Sequence, residues 1–263
     1  KGIRMNHAEK RRFLINSLIN ENSAYADIHV PNDKNGQKLL LRGLLNIRMP
    51  KSCDQTFLTI QNEYLVEETA QKGITDSEHL VPVTDRICLW QGDITTLKCD
   101  AIVNAANSGM TGCYVPNHRC IDNCIHSFAG VQLRLECAEI MQKQGYPEPT
   151  GTAKLTSAYN LPCKYVIHTV GPIVSDKLTK EHCKKLEGCY KSCLELAAQN
   201  DIESIAFCCI STGEFRFPND KATEIAVSTV RKFLAENKTV KKVIFNVFKD
   251  TDRQIYEKLL GQN

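Results

Sequence analysis

Ile205-Ala206-Phe207-Cys208-Cys209-Ile210-Ser211-Thr212-Gly213-Glu214-Phe215-Arg216-Phe217-Pro218 runs from a short apolar stretch through a polar turn to the start of a helical pattern. The first part has the length and bulk of a buried strand. A helix is expected over 220–237, with Asn219 or Asp220 as cap and Ile225, Val230 and Phe233 facing inward. The same strand–turn–helix rhythm recurs from Arg86 onward. Further strands are expected at 87–90, 101–104, 165–170 and 243–248, with the quoted one at 205–210. Helices are expected over 121–144, around the stripe Leu186, Tyr190, Leu194 and Ala197, and around 255–260. Strands that alternate with helices predict an α/β fold with a largely parallel sheet covered on both faces. Ligands then bind at the carboxyl ends of the strands. Residues 104–108, 211–218 and 248–250 fall there.

The first eighty residues read differently. Phe13, Leu14, Leu18 and Ile19 share one helix face after Asn6 as cap. Two more helical patterns, 39–47 and 57–70, are separated by Met49-Pro50, and no convincing strand appears. The expected division is a helical N-terminal extension over 5–80, without a chemical motif, and an α/β domain over 81–263. Lys1–Arg4, ahead of Met5, are read as an appended remnant.

With 42% hydrophobic and 24% charged residues among 263, the chain has the composition of a soluble globular protein. A net charge of +3 gives no basic stripe for nucleic acid and no pull towards an anionic membrane, so neither is an expected partner. The basic run Lys10-Arg11-Arg12 is read as a solvated face. The thirteen cysteines are an odd number and several sit in apolar runs, where a reduced thiol packs as a small hydrophobe. The start is polar and basic, without the apolar run of a secretory leader. A reducing, cytoplasmic setting is the expectation.

Cys113, His118 and Cys120 form a Cys-x-x-x-x-His-x-Cys group just after Val103-Asn104-Ala105-Ala106-Asn107-Ser108. Two thiolates and an imidazole suit zinc but fall one short of a closed structural site. Cys124 lies one helical turn beyond Cys120 and completes such a site if it joins; cysteines without metal are the third reading. His126 and His168 are read as packed residues. The turn at Ser211-Thr212-Gly213 offers amides and hydroxyls to phosphate oxygens, or serves backbone geometry alone. Asp93, in Gly92-Asp93-Ile94-Thr95, is a turn cap or an acceptor for a base amino group. Asn104 and Asn107, placed in a turn after a strand, suit either sugar hydroxyls or a left-handed turn position.

Taken together, Gly92-Asp93-Ile94-Thr95, 103–108, Gly151-Thr152-Ala153-Lys154, Ile167-His168-Thr169-Val170-Gly171-Pro172 and Ser211-Thr212-Gly213 resemble the macrodomains, in order, from about Arg86 to the C-terminus. The cysteine-bearing insert, read with Cys120-Ile121-Asp122-Asn123, is similar to the zinc-containing subgroup, which also carries a helical extension. The resemblance implies a three-layer α/β/α macrodomain with a mixed, largely parallel central sheet. It implies a zinc-dependent hydrolase that removes mono-ADP-ribose from modified proteins, with a sirtuin-linked lipoate-modification system as a partner. Asp93 would then meet the adenine amino group, with Ile94 in the same pocket through its backbone and Phe248 nearby, close to Asp250. Ser211, Thr212, Gly213, Glu214 and Phe215 would wrap the diphosphate. Asn107 would face the distal ribose, and Asp122 would orient or deprotonate a water there, unless it is an ordinary helix cap. Many macrodomains carry a Gly-Gly-Gly-Val loop where this chain has 112–121. Glu214 and Arg216 also stand in place of smaller or apolar residues. The competing expectation is a non-catalytic ADP-ribose reader with a structural zinc; binding of RNA or poly(A) ends is a third.

Overall fold

A computed structural model describes residues 5–261. Their order begins with three helices, α1 (His7–Asn20), α2 (Lys34–Ile47) and α3 (Gln55–Lys72). Asn6 caps α1 as expected, and Glu9 returns the bond to form a capping box. Asp33 and Asp54 cap α2 and α3. Leu14, Ile15, Leu18, Leu41, Leu44, Phe57 and Tyr64 bury one another at the centre of the three helices. This apolar core is large enough to hold the extension together and includes Val131 of the following domain.

The remaining elements are β1 (Thr75–Asp76), β2 (Ile87–Gln91), β3 (Leu97–Lys98), β4 (Ala101–Ala106), α4 (Ile121–Ala129), α5 (Val131–Gln144), β5 (Ala153–Ser157), β6 (Tyr165–Val170), α6 (Lys180–Gln199), β7 (Ser204–Phe207), α7 (Asn219–Glu236), β8 (Lys242–Val247) and α8 (Asp250–Leu260). The main sheet has the order β2-β8-β7-β4-β6-β5 and is parallel except for β5 against β6. With helices on both faces, this is the mixed, largely parallel three-layer arrangement expected. The central strands are buried on both sides, which explains their Val- and Ile-rich runs. Tyr190 of α6 packs on Phe207 and Tyr256 of α8 on Phe245, and because Phe207 and Phe245 are paired neighbours in the sheet, both contacts fasten helices to the same face.

Several expectations need correction. The helix expected over 121–144 is two helices, because Gly130 adopts φ 97° and an added Cβ there would lie 2.7 Å from Gln61 Nε2. Strand β4 continues to Ala106, so Asn104 lies inside the sheet and is not in a turn. Strand β7 ends at Phe207, before 208–210. Helix α7 has no side-chain cap: Asn219 is already helical and its amide is engaged with Asp252 of α8. Asp220 instead sits in the first turn, where its charge suits the helix dipole. Three strands go beyond those expected. Short β1, inside the stretch read as helical, pairs with β3 of the α/β domain, and β5 is a polar edge strand whose Lys154 keeps that edge solvated. Among the described residues no helix is long and apolar enough to cross a membrane.

Candidate active site

The segment between β4 and α4 carries the cysteine group. Gly112 turns at φ 85°, and an added Cβ would lie 2.8 Å from the His126 ring, so glycine is required there. Beyond that turn, one ligand atom each from Cys113, His118 and Cys120 meets within 4.8 Å. Cys113 Sγ lies 3.6 Å from His118 Nδ1. A tetrahedral zinc with bonds of about 2.3 Å to sulfur and about 2.0 Å to nitrogen sets those two atoms about 3.5 Å apart. The donor set therefore fits zinc in both chemistry and spacing. Cys120 is the N-cap of α4 and its sulfur accepts from Asn123 N–H at 3.4 Å. Burial, with Cys113 as a near neighbour, pushes its thiol up to about 12.

Cys124 stands outside this group; its sulfur accepts from Arg42 Nη2 at 3.4 Å. His126, Cys137 and His168 also converge within 4.8 Å, but in the buried interior. His168 spends both ring nitrogens on Asn104 (3.1 Å) and Thr156 (2.9 Å), and burial lowers it to about 3, so it is a neutral core residue.

Asp122 does not cap α4; it occupies the first turn and is only 4% exposed. Its Oδ1 accepts from Asn104 Nδ2 at 2.8 Å and its Oδ2 from Asn107 Nδ2 at 3.2 Å. Burial raises its pKa to about 6, against the opposing effects of those amides and of Arg134. Asn107 also donates to Gly112 O at 3.1 Å, tying the strand end, the cysteine loop and Asp122 together. Asn104 is positioned from behind by His168.

At the other end, Asp93 caps a short 3-10 turn, Ile94–Thr96, through Oδ1, which accepts from Thr95 N–H (3.0 Å) and its hydroxyl (2.6 Å). Oδ2 takes Lys72 at 3.1 Å. Burial works against ionisation of Asp93, but Thr95 and Lys72 outweigh it and lower its pKa. Ile94 is buried beside it, and Phe248 is 76% exposed at the end of β8. Between these ends lies the turn after β7. Ser211 adopts φ 65°, and Gly171 has no room for a Cβ, which would lie 2.0 Å from Ser211 Oγ. The turn closes with Arg216 N–H on Gly213 O and Phe217 N–H on Ser211 O. Among the described residues, none of the amide N–H groups of 211–215 donates to another protein group. Glu214 Oε1 comes within 3.6 Å of His118 Nε2, so this turn and the cysteine loop face each other.

Three residues of the extension went unrecognised: Arg42, Asn46 and Lys72. Lys72 lies 3.3 Å from the Phe128 ring centroid as well as beside Asp93. The one available signal was polar residues interrupting the apolar run Leu39-Leu40-Leu41-Arg42-Gly43-Leu44-Leu45-Asn46.

The Macro domain profile matches residues 103–226. A Treponema medium protein named protein-ADP-ribose hydrolase is 58% identical over 261 residues, covering 98% of this chain and 100% of that protein. A Staphylococcus aureus protein of the same name is 47% identical over 253 residues, covering 95% of each. Among solved structures, a Trypanosoma brucei macrodomain in complex with ADP-ribose matches with a TM-score of 0.65 and 32% identity, covering 84% of this chain and 95% of that one. An Oceanobacillus iheyensis macrodomain with ADP matches at a TM-score of 0.62 and 34% identity, over 69% of this chain and 94% of that one.

Proposed function

This chain belongs to the macrodomain family, and from that premise we propose that it is a protein-ADP-ribose hydrolase that removes mono-ADP-ribose with the help of zinc. The observation that carries the reading is one of convergence. The turn with free amides, the Asp122–Asn107 pair and the Cys113–His118–Cys120 group all lie at the carboxyl ends of the strands. The two curated relatives of near full length named above carry the name of this activity.

The residues divide the substrate between them. Asp93 accepts from the adenine amino group through Oδ2, which has lone-pair capacity beyond Lys72. Ile94 and Phe248 flank the base. The amides of Ser211, Thr212, Gly213, Glu214 and Phe215 receive the diphosphate oxygens. Asn107 and Asp122 face the distal ribose, where Asp122 orients a water and takes its proton as the bond to the protein breaks. The asparagine contacts to both Asp122 oxygens hold the carboxylate in one orientation. Cys113, His118 and Cys120 would hold the zinc, which supplies a Lewis acid for a ribose hydroxyl or a bound water. With Cys124 engaged by Arg42, three protein groups rather than four would hold the metal. The thirteen free thiols support a reducing cytoplasmic location. The same cysteine loop is the basis for proposing a sirtuin-linked lipoate-modification system as the source of the modified protein.

One observation favours the reader instead: Asp122 is nearly buried, with both oxygens already bonded. Release of ADP-ribose from an automodified protein, measured beside an ADP-ribose titration, separates the two. The hydrolase gives both binding and release; binding without release identifies the reader.

A further inference from the structure

The cysteine loop is held from outside its own domain. Arg42, in the middle of α2, directs Nη2 at His118 O (2.7 Å), Asn123 Oδ1 (2.9 Å) and Cys124 Sγ (3.4 Å). Asn123 is fully buried, and its Nδ2 donates to Val115 O (2.9 Å) and Cys113 O (3.3 Å). One guanidinium and one amide thus hold the backbone at Cys113 and His118. One turn further along α2, Asn46 accepts from Asn117 N–H at 2.9 Å and donates to Ser127 Oγ at 2.8 Å. Asn117 adopts φ 58°, a conformation that a bond on each side of the strained residue helps to maintain. Gly43 lies between the two polar residues, and an added Cβ would come within 3.4 Å of Asn117 Nδ2. The face of α2 turned to the loop is therefore built around it.

A ligand loop with little secondary structure must lose conformational freedom before its donors converge. Partners that orient metal ligands from behind set metal affinity nearly as strongly as the ligands do. We propose that Arg42 is a positioning residue for the metal site, so that the N-terminal extension forms part of the active site and is more than packing beside it. The proposal rests on the reading of Cys113, His118 and Cys120 as zinc ligands. It also explains what Cys124 does: beside Arg42 its sulfur is used as a hydrogen-bond acceptor and stays out of the ligand set.

The test is zinc affinity, measured by competition with a chromophoric chelator, in wild type, Arg42→Met and Arg42→Lys. Arg42→Met keeps the apolar stem near Phe128 (6.0 Å from guanidinium to ring) and removes every donor. Its zinc affinity is expected to fall about 10- to 100-fold while the zinc-free melting temperature stays near wild type. Arg42→Lys restores one donor group without the fork, and an intermediate affinity is expected. Cobalt in place of zinc gives a second readout, since its visible spectrum reports ligand geometry and should differ between wild type and Arg42→Met. Affinity within about twofold of wild type in a folded Arg42→Met, with an unchanged cobalt spectrum, overturns the proposal while leaving the zinc site intact. Should Arg42→Met not fold, wild-type affinity in Arg42→Lys overturns it as well. A wild-type protein that takes up no zinc overturns the ligand assignment itself, and the proposal with it.

Discussion

Asp122 illustrates how a side chain's neighbours decide its task. Two asparagine amides face its oxygens, and little water reaches it, so it is oriented but costly to ionise. Replacing Asp122 with alanine should lower ADP-ribose release by about 10²- to 10⁴-fold, the span of a lost general base. Free ADP-ribose should still bind, which a calorimetric titration checks. At the other end, Asp93→Ala should weaken ADP-ribose binding about 10- to 100-fold, because a bond to a charged acceptor is lost. His168 gives a pH signature. It is held neutral at a pKa of about 3, whereas the unfolded residue titrates near 6.5. The unfolded state therefore binds more protons below pH 6.5, so this contribution is complete above that value and is lost as pH falls. By pH 5 the loss is about 2 kcal/mol. Asp122, whose raised pKa acts in the opposite direction, partly masks it in the wild type. Urea unfolding at pH 7 and pH 5 in wild type and His168→Gln isolates the histidine: the variant should lose about 2 kcal/mol less over that window. The convergence of Cys113, His118 and Cys120 is legible in the sequence because their spacing is local. Arg42 was not, because its acceptor at His118 lies far along the chain and an arginine on a helix ordinarily faces solvent.

At the scale of elements, apolar content and turn residues revealed the buried parallel strands, and Asn6 revealed the start of α1. The edge strand β5 was missed since half-exposed Ala153-Lys154-Leu155-Thr156-Ser157 lacks the apolar signal of its neighbours. The break between α4 and α5 was missed for a different reason. The apolar pattern continues across Gly130, and only contact with α3 shows why the chain must turn there. Gln61 of α3 accepts from Val131 N–H at 3.0 Å and so caps α5 from another part of the chain. Gly130→Ala should cost about 1–3 kcal/mol, since it combines a positive φ with a collision at Gln61. Denaturant unfolding would measure it; a cost near zero would mean that the helix junction relaxes freely.

Across the whole molecule, the extension and the α/β domain complete each other's unfinished hydrogen bonds. Arg134 Nη1 of α5 donates to Leu45, Asn46 and Arg48 carbonyls at the end of α2, while Gln61 returns a cap to α5. The sequence displayed the three helices as an amphipathic appendage without chemistry. Their role emerges from contacts between residues distant in the chain, which periodicity cannot show. In the function we propose, the strand-end cleft removes ADP-ribose from proteins with zinc held at Cys113, His118 and Cys120. The most direct measurement is ADP-ribose release from an automodified protein by untreated, chelator-stripped and zinc-restored enzyme. Stripping should abolish release while leaving the protein folded, and zinc should restore it. Full release from fully stripped enzyme would contradict that function.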